Sequence, residues 1–271
     1  QVTTNPQPRE LDLLLSTGEL DSATLLAMAI AELGHPAISL SGIQAGIHTD
    51  EMYGKARIDN IETDRINKEL NEGNIVIVAG FQGTSQSSGG TAEITTLGRG
   101  GSDTSAVGLA VALGASQCEI YTDVDGVYTA DPRMVPQARK LDVVSYDEML
   151  EMASLGAKVL QIRCVEFAHK FQMPLVVKSS YIEGGKGTLI CEEGANMEQP
   201  VVSGIMYDKN QAKITLKEVP DQPGIAANIF EPIATAGLSV DMIVQNISAE
   251  GHTDLSFTLA REELNLSLIH I

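Results

Sequence analysis

The chain has 271 residues, of which 43% are hydrophobic and 20% charged, and its 36 acidic and 18 basic side chains give a formal net charge of −18. This length suffices for one large domain or two smaller ones, and the ordinary apolar fraction argues against disorder. A field this negative repels phosphate, so we expect no nucleic-acid partner and no attachment to an anionic membrane, and any bound phosphate must be held by local groups.

Cysteine spacing and the length of apolar runs exclude two further classes of protein. The three cysteines, Cys118, Cys164 and Cys191, are far apart and never form a C-x-x-C pair, so the sequence predicts neither a disulfide framework nor a zinc site. No apolar run approaches the roughly 18 residues of a membrane span, and the N-terminus lacks a signal-peptide pattern. We therefore expect a soluble, cytoplasmic protein.

Both ends of the sequence are unusual. The chain opens at Gln1 without a methionine and runs almost at once into the apolar Leu11–Leu15, which predicts that its natural start is missing. Residues 266–271 break the pattern of the helix start that precedes them, so we expect a non-native tail there.

Helical and strand patterns alternate through the first two thirds of the chain. Apolar spacing and turn signals predict a helix at Asp21–Leu33, a strand at Pro36–Leu40, a helix at about Glu62–Leu70, a strand at Asn74–Ala79, a polar segment at Gly80–Gly101, a helix at Ser102–Leu113, a strand at Cys118–Tyr121, a long loop at Asp123–Lys140, helices at Tyr146–Leu155 and Lys158–Lys170, and a strand at Pro174–Ser180. This order predicts an α/β domain with a mainly parallel sheet sandwiched by helices, whose ligands lie beyond the carboxyl ends of the strands.

A smaller module follows the α/β domain. The pattern predicts strand and turn at Val201–Val219, a helix at Ile225–Ala236, and strands at Ser239–Ile247 and Thr253–Thr258. A β-α-β-β order within about 60 residues predicts a small ferredoxin-like module. We expect the larger domain at residues 1–195 and the module at residues 201–265, with a boundary near Pro200.

The segment Gly98–Ala106, GRGGSDTSA, carries the clearest chemical signal. Its glycines let the backbone approach a ligand closely, and the free amides of the following helix start favour an anion. Arg99 adds a forked donor suited to carboxylate or phosphate, and Asp103 could hold an ammonium group or organise a cation. The alternative interpretation is a structural turn in which Ser102 or Asp103 caps the helix.

The loop Thr122–Arg133 is a candidate for nucleotide binding. It lacks the spacing of a calcium site, but it follows a strand and could hold a purine and ribose through backbone groups, Tyr128 and Asp131. A long structural turn is an equally good interpretation of the same residues.

Lys158 is a candidate for phosphate binding. A lysine at a predicted helix start is disfavoured unless it meets an anion, although an exposed lysine is the common case. Other phosphate motifs fail, because the GGKGT sequence at Gly184–Thr188 lacks P-loop spacing and is interpreted as a turn.

Taken together, these motifs resemble the aspartate kinases of the amino-acid-kinase family. The likeness lies in LLLSTGE at Leu13–Glu19, GRGGSDTSA at Gly98–Ala106, YTDVDGVYTADPR at Tyr121–Arg133 and SYDEMLEMASLGAKVLQIR at Ser145–Arg163. A regulatory ACT-domain pattern follows, with VPDQPGIAANIF at Val219–Phe230 and SVDMIVQNIS at Ser239–Ser248. The resemblance covers nearly the whole chain.

The resemblance implies transfer of the ATP γ-phosphoryl group to the side-chain carboxylate of L-aspartate, the first step toward lysine, threonine, methionine and diaminopimelate. It implies catalytic roles for Asp103 and Lys158, with Mg²⁺ carried on the ATP and no metal site of the protein itself. The implied aspartate site comprises Glu19, Arg99, Gly100, Gly101 and Ser102. The implied ATP site comprises Tyr121, Thr122, Val127, Tyr128, Thr129, Ala130, Asp131, Pro132, Arg133 and Lys158.

The ACT pattern implies feedback control by an allosteric amino acid, lysine or threonine, bound between paired modules of a homodimer or hetero-oligomer. The implied effector positions are Asp221, Gly224, Ile225, Gln245 and Asn246, although a helix cap and a strand end explain these residues equally well. The family carries two tandem ACT modules and this sequence stops within the first, so we expect it not to respond to the effector.

The sequence departs from the family pattern at its start, where an opening strand with a Lys-Phe-Gly-Gly-Thr-Ser phosphate loop has no counterpart. We therefore expect this chain by itself to be inactive. One alternative is another family member, such as glutamate 5-kinase, acetylglutamate kinase or a nucleoside-monophosphate kinase, which the ACT pattern disfavours. Another is an amino-acid-sensing subunit without catalysis, which would have no use for Arg99 or Lys158.

Overall fold

The computed structural model describes residues 3, 6–86, 91–157, 159–192, 204–236, 238, 240–246 and 251–264. Contacts divide the chain into two units, Gln1–Met206 and Tyr207–Ile271. The boundary predicted near Pro200 lies outside the described residues, as does the predicted tail at residues 266–271. Each unit has its own hydrophobic core.

The first unit alternates helices and strands. Its elements are α1 Pro8–Glu32, β1 Ala37–Leu40, β2 Ile47–Thr49, β3 Ile58–Ile61, α2 Asp64–Asn71, β4 Ile75–Val78, β5 Gln82–Gln86, β6 Ala92–Thr96, α3 Gly101–Ala112, β7 Cys118–Thr122, β8 Val143–Ser145, α4 Tyr146–Ser154, α5 Ile162–Phe171, β9 Leu175–Ser179 and β10 Thr188–Cys191. β1 pairs with β4, β7 with β9 and β8 with β10 in parallel, whereas β9 and β10 are antiparallel. The predicted α/β class with a mainly parallel sheet is confirmed.

The long first helix differs from its prediction. α1 begins at Pro8 instead of Asp21, because proline is well suited to the first turn and Gly18 costs a helix interior about 1 kcal/mol, which packing overcomes. Within the described part of the chain, α1 is the one helix long and apolar enough to cross a membrane by length and composition. This segment is not an uninterrupted apolar run, since Glu19 and Asp21 lie within it, and a prediction from run length alone therefore misses it.

The polar segment Gly80–Gly101 contains a hairpin that the sequence pattern does not predict. β5 and β6 pair antiparallel, and with β2 and β3 they form a sheet in the order β3-β2-β5-β6. The buried positions of the hairpin are occupied by Thr84, Ser85 and Thr95 instead of apolar residues, so hydrophobic alternation is absent.

α3 lies between two hydrophobic clusters of the first unit. Val107 and Ala110 pack into the cluster built on β7, β9, α4 and α5. Leu109 and Leu113 pack against the cluster around Leu40 and Ile47. The second half of α3, the helix that follows the GRGGSD turn, is therefore packed on two faces.

The second unit confirms the predicted β-α-β-β order. It comprises β11 Gln211–Pro220, α6 Ile225–Thr235, β12 Ile243–Gln245 and β13 His252–Ala260, followed by a short 3₁₀ turn at Arg261–Glu263. The three strands form an antiparallel sheet in the order β11-β13-β12. Ile233 of α6 packs with Ile214 and Phe257 of the sheet, and the ring of Phe230 meets that of Phe257 edge to face.

Candidate active site

The turn before α3 is built from glycines that the packing requires. Gly98 and Gly100 adopt left-handed conformations, with φ of 76° and 70°. A Cβ on Gly100 would overlap the side chain of Gln161, and one on Gly101 would lie 2.7 Å from the Cβ of Leu97. Gly100 is the N-cap residue and no side chain caps the helix, so the interpretation of Ser102 or Asp103 as a cap is wrong.

A strained residue joins the end of β4 to this turn. Phe81 has a positive φ of 66°, which is unusual for a bulky residue. Its N–H donates to the Ser105 hydroxyl at 3.1 Å, and that hydroxyl donates to the Ser102 carbonyl at 2.9 Å. The Phe81 carbonyl accepts from the Leu97 N–H at 2.9 Å, so the strand end and the first turn of α3 are fixed to each other.

The N-termini of α3 and α5 converge on the GRGGSD turn. Gln161 is the N-cap of α5, its side chain packs against Gly100, and its N–H donates to the Asp103 carboxylate. Helix N-termini carry partial positive charge and unpaired amides. Two such ends at one turn favour a bound anion beside Asp103.

Arg99 is exposed in the middle of this turn. Among the residues that the structure describes, no hydrogen bond or ion pair involves its guanidinium. Ser102, also exposed, follows on the first turn of α3, while Gly101 is buried beneath it. The guanidinium is therefore available to a carboxylate or phosphate that binds at the helix N-terminus.

Burial raises the pKa of Asp103 above its usual range, and the hydrogen bond from the Gln161 N–H opposes this shift. A carboxyl group whose folded-state pKa is raised makes no difference to stability below its unfolded pKa. It destabilises the fold progressively as the pH rises from the unfolded to the folded-state pKa, and the full loss remains above the folded-state pKa. Asp103 therefore weakens the fold at neutral pH, which is common where a charged group serves a ligand.

Replacing Asp103 by asparagine is expected to raise the melting temperature at about pH 7, and this gain should shrink toward zero at about pH 3. Thermal denaturation followed by circular dichroism at both pH values measures the difference, and the matched control is Asp59→Asn, at an exposed position on β3. A gain for Asp103→Asn that is equal at both pH values would contradict the assignment of the raised pKa.

Two ionic side chains that the sequence motifs do not identify as site residues hold the segment that leads into the GRGGSD turn. Asp12 of α1 is 0% exposed, and its carboxylate accepts from the Gly54 N–H at 2.9 Å, the Thr96 N–H at 2.8 Å and the Thr96 hydroxyl at 2.7 Å. Arg163 of α5 donates to the carbonyls of Leu97 at 2.6 Å and Ala56 at 2.9 Å. The chain is therefore fixed on two sides just before Arg99.

Glu19 lies on α1, one turn beyond a contact with the β5–β6 hairpin. The Ser16 carbonyl accepts from the Gln82 side chain at 3.0 Å, and Gln82 pairs with Thr96 in the hairpin. α1 thus runs past the end of the hairpin from which the GRGGSD turn departs, which brings the Glu19 segment to the same end of the sheet.

The predicted nucleotide residues begin at the carboxyl ends of two parallel strands. Thr122 ends β7, and its carbonyl accepts from both the N–H and the hydroxyl of Ser180, the residue that follows β9. Tyr121 is 59% exposed, and its hydroxyl donates to Glu119 at 2.8 Å. This geometry agrees with the rule that ligands of parallel sheets bind beyond the strand ends.

The loop after β7 is ordered by its own side chains. The Tyr128 hydroxyl donates to Asp125 at 2.9 Å, which raises the pKa of the tyrosine, and Lys140 lies 3.6 Å from the same carboxylate. The Asp131 carboxylate accepts from the backbone and guanidinium of Arg133. Of the other predicted residues, Thr129 and Ala130 are half-buried, Pro132 is exposed and Val127 lies in the core.

Lys158 lies outside the described residues, but its neighbours correct one argument about it. α5 begins at Ile162 with Gln161 as its N-cap, four residues later than predicted. Gly156 has a φ of 110° and ends the α4 segment, where the Ala157 N–H donates to the Met152 carbonyl at 2.8 Å. The predicted helix start at Lys158 is therefore wrong, because the helix begins at Ile162, and the helix-dipole argument that rested on that start is withdrawn.

The predicted effector residues flank the start of β13. The Asp221 N–H donates to the Gly251 carbonyl at 2.9 Å, and the Asn246 carbonyl accepts from the Thr253 hydroxyl at 2.7 Å. Gly224 is the left-handed N-cap of α6, Ile225 begins that helix and Gln245 ends β12. The two predicted segments thus lie at one end of the small sheet.

The sequence matches the amino acid kinase family over residues 2–179 and an ACT domain over residues 217–271. An aspartate kinase of Pseudomonas putida is 53% identical over 264 residues, which are 97% of this chain and 63% of that protein. An aspartokinase of Mycobacterium tuberculosis is 50% identical over 266 residues, which are 97% of this chain and 62% of that protein. The chain spans just under two thirds of the length of these relatives.

Solved structures agree with the sequence relatives. The structure of E. coli aspartokinase III in complex with aspartate and ADP, in the R-state, matches with a TM-score of 0.79 and 32% identity, covering 95% of this chain and 56% of that one. The T-state structure of that protein with lysine and aspartate gives a TM-score of 0.73 at 30% identity, covering 98% and 60%. The chain belongs to the amino acid kinase family, carries an ACT domain, and is a homologue of bacterial aspartate kinases.

Proposed function

We propose that the protein is an aspartate kinase, which transfers the γ-phosphoryl group of ATP to the β-carboxylate of L-aspartate and gives 4-phospho-L-aspartate and ADP. The observation that carries this proposal is the convergence of the α3 and α5 N-termini on the turn that bears Arg99 and Asp103. The aspartate and ADP bound in the E. coli relative support the same assignment of substrates.

The acceptor carboxylate needs no general base, because it is already ionised at neutral pH. One of its oxygens forms a bond to the γ-phosphorus, and the bond from that phosphorus to the β,γ-bridging oxygen breaks as ADP leaves. Catalysis is therefore positioning and neutralisation of charge. Arg99 would bind the α-carboxylate of aspartate, Glu19 its ammonium group, and the first amides of α3 the developing negative charge.

The nucleotide side is assigned to the loop that follows β7, with Lys158 on the polyphosphate. Tyr121, Thr122 and Tyr128–Arg133 lie at the strand ends or on the loop that a nucleotide would meet. Magnesium bound with ATP supplies further neutralisation of the phosphate charge. The described residues contain no cluster of three or more metal-ligating side chains.

Regulation is proposed to reach the enzyme through the ACT unit. The proposed effector is lysine or threonine, and the lysine bound in the T-state structure of E. coli aspartokinase III supports the first of these. The proposal includes a homodimer or hetero-oligomer formed through ACT domains, a cytoplasmic location, and a place early in lysine, threonine, methionine and diaminopimelate synthesis.

The test is phosphoryl transfer to aspartate, trapped by hydroxylamine as the aspartyl hydroxamate. The protein assayed is the chain preceded by the opening strand and Lys-Phe-Gly-Gly-Thr-Ser loop of an aspartate kinase, here called the extended chain. Hydroxamate should form only with both ATP and aspartate present, and the chain without this segment is the matched control, expected to be inactive.

Two results would contradict the proposal. Preference for glutamate or N-acetylglutamate as acceptor would assign the site to another reaction of the same family. Failure of the extended chain to bind ATP while it binds an amino acid would favour a sensing subunit.

A further inference from the structure

The turn Gly184–Thr188 ends in a buried residue with a specific set of contacts. We propose that Thr188 is a positioning residue for nucleotide binding, because its hydroxyl ties the two ends of the loop Asp123–Lys140 to each other and to β10. The inference rests on the proposed function in one respect, namely that this loop contacts the nucleotide.

Both hydrogen-bonding directions of the Thr188 hydroxyl are used on the loop. Thr188 is 0% exposed, and its Oγ1 accepts from the Val127 N–H at 2.9 Å and donates to the Leu141 carbonyl at 2.6 Å. The Leu141 N–H donates in turn to the Val127 carbonyl at 2.8 Å. One hydroxyl therefore links the backbone at Val127 to the backbone at Leu141, 14 residues later in the sequence.

Two glycines make room for this hydroxyl. Gly187 has a φ of 71°, and a Cβ there would overlap the carbonyl oxygen of Val177 on β9. Gly126 has a φ of 150°, and a Cβ there would lie 2.5 Å from the Thr188 hydroxyl. Because neither glycine has a side chain, the backbone segments around the buried Thr188 hydroxyl can approach one another closely.

Another tie of the loop lies toward solvent. The Thr129 N–H donates to the Arg139 carbonyl at 2.9 Å, and the Arg139 N–H donates to the Thr129 hydroxyl at 3.1 Å. Arg139 is exposed, whereas Val127 is 1% exposed and part of the core. Thr188 therefore holds the loop from its core side through Val127, the residue that precedes the segment Tyr128–Arg133, which the proposed function places on the nucleotide.

Removing the hydroxyl would leave the buried Val127 N–H and the partly buried Leu141 carbonyl without their partner, and the base of the loop would shift to satisfy them. Such a shift changes the nucleotide site, whereas the GRGGSD turn is held by Asp12, Arg163 and Ser105 and shares no hydrogen bond with Thr188. A defect in binding should therefore be confined to the nucleotide.

The test measures ADP binding to the extended chain by calorimetry, which does not depend on any phosphoryl transfer. Thr188→Val, which keeps shape and removes the hydroxyl, is expected to raise the Kd for ADP by about tenfold, and Thr188→Ser to stay within about twofold of the parent. The KM for aspartate in the hydroxamate assay should stay within about twofold for both variants.

Thr84→Val is the matched control, because it is the same substitution at a buried β-strand position whose hydroxyl has no hydrogen-bond partner among the described residues. It should leave the Kd for ADP unchanged. An unchanged Kd in Thr188→Val, an equal loss in Thr188→Ser, or no ADP binding by the parent would overturn the inference.

A second variant covers the case in which Thr188→Val does not fold. Gly126→Ala is expected to push the loop away from the hydroxyl and to raise the Kd for ADP while sparing the KM for aspartate; no rise would overturn the inference. If the parent binds ADP but does not phosphorylate aspartate, the proposed function fails, while the ratio of ADP Kd values still decides the role of Thr188.

Discussion

Replacing Arg99 by alanine in the extended chain is expected to lower kcat/KM for aspartate by about 100-fold. The estimate follows from the loss of two charge-assisted hydrogen bonds to a substrate carboxylate, worth about 3 kcal/mol together. The KM for ATP should change by less than about threefold, because the loop after β7 and Lys158 carry the nucleotide in the proposed site. The hydroxamate assay with each substrate varied in turn measures both quantities.

The matched control is Arg57→Ala, which removes an exposed arginine of the same unit. Arg99→Lys keeps the positive charge but loses the two parallel donors of the guanidinium, so its kcat/KM for aspartate should lie between those of the parent and Arg99→Ala. Equal losses for aspartate and ATP in Arg99→Ala would contradict an acceptor site at the GRGGSD turn. Retention of full activity would place the aspartate carboxylate elsewhere.

Replacing Asp12 by alanine is expected to lower the free energy of unfolding of the first unit by about 3–5 kcal/mol. The carboxylate is wholly buried and accepts three hydrogen bonds, so its removal orphans the amides of Gly54 and Thr96 and the Thr96 hydroxyl. Asp12→Asn should also lower the free energy of unfolding, because the NH₂ of the asparagine amide would face an N–H or O–H donor that the carboxylate now accepts from.

Urea denaturation followed by circular dichroism measures the loss, with separate transitions fitted if the two units unfold independently. Asp21→Ala is the control, since Asp21 is an exposed aspartate on the same helix. If Asp12→Ala and Asp21→Ala lower the free energy of unfolding equally, the Asp12 contacts do not hold the hairpin to α1.

Much of the fold follows from periodicity in the sequence. The runs that become β4 and β9 are rich in apolar and β-branched residues, as expected of strands in a covered parallel sheet, and the predicted bounds of β4, β7 and β9 agree with the structure within one or two residues. The β5–β6 hairpin was missed because hydroxyl side chains fill its buried positions. The start of α5 was misplaced because its N-cap, Gln161, is not a residue type that signals a helix start.

The candidate site was predictable where its chemistry is local. Glycines beside an arginine and an aspartate identify the GRGGSD turn from nine consecutive residues. The contacts that fix this turn are not local, because Asp12 meets Thr96 across 84 positions and Arg163 meets Ala56 across 107. No spacing rule connects such residues, so their roles emerge only when the chain is folded.

These long sequence separations also bear on how the chain acquires its structure. Contacts between residues far apart carry a loop-closure cost and form late relative to helices and hairpins. The β5–β6 hairpin can assemble as soon as its two strands are synthesised, but the carbonyls of Ala56 and Leu97 find their donor only when Arg163 is present. During synthesis these two hydrogen bonds to the segment before the GRGGSD turn can therefore form only after α5 has emerged from the ribosome, when most of the first unit has already been made.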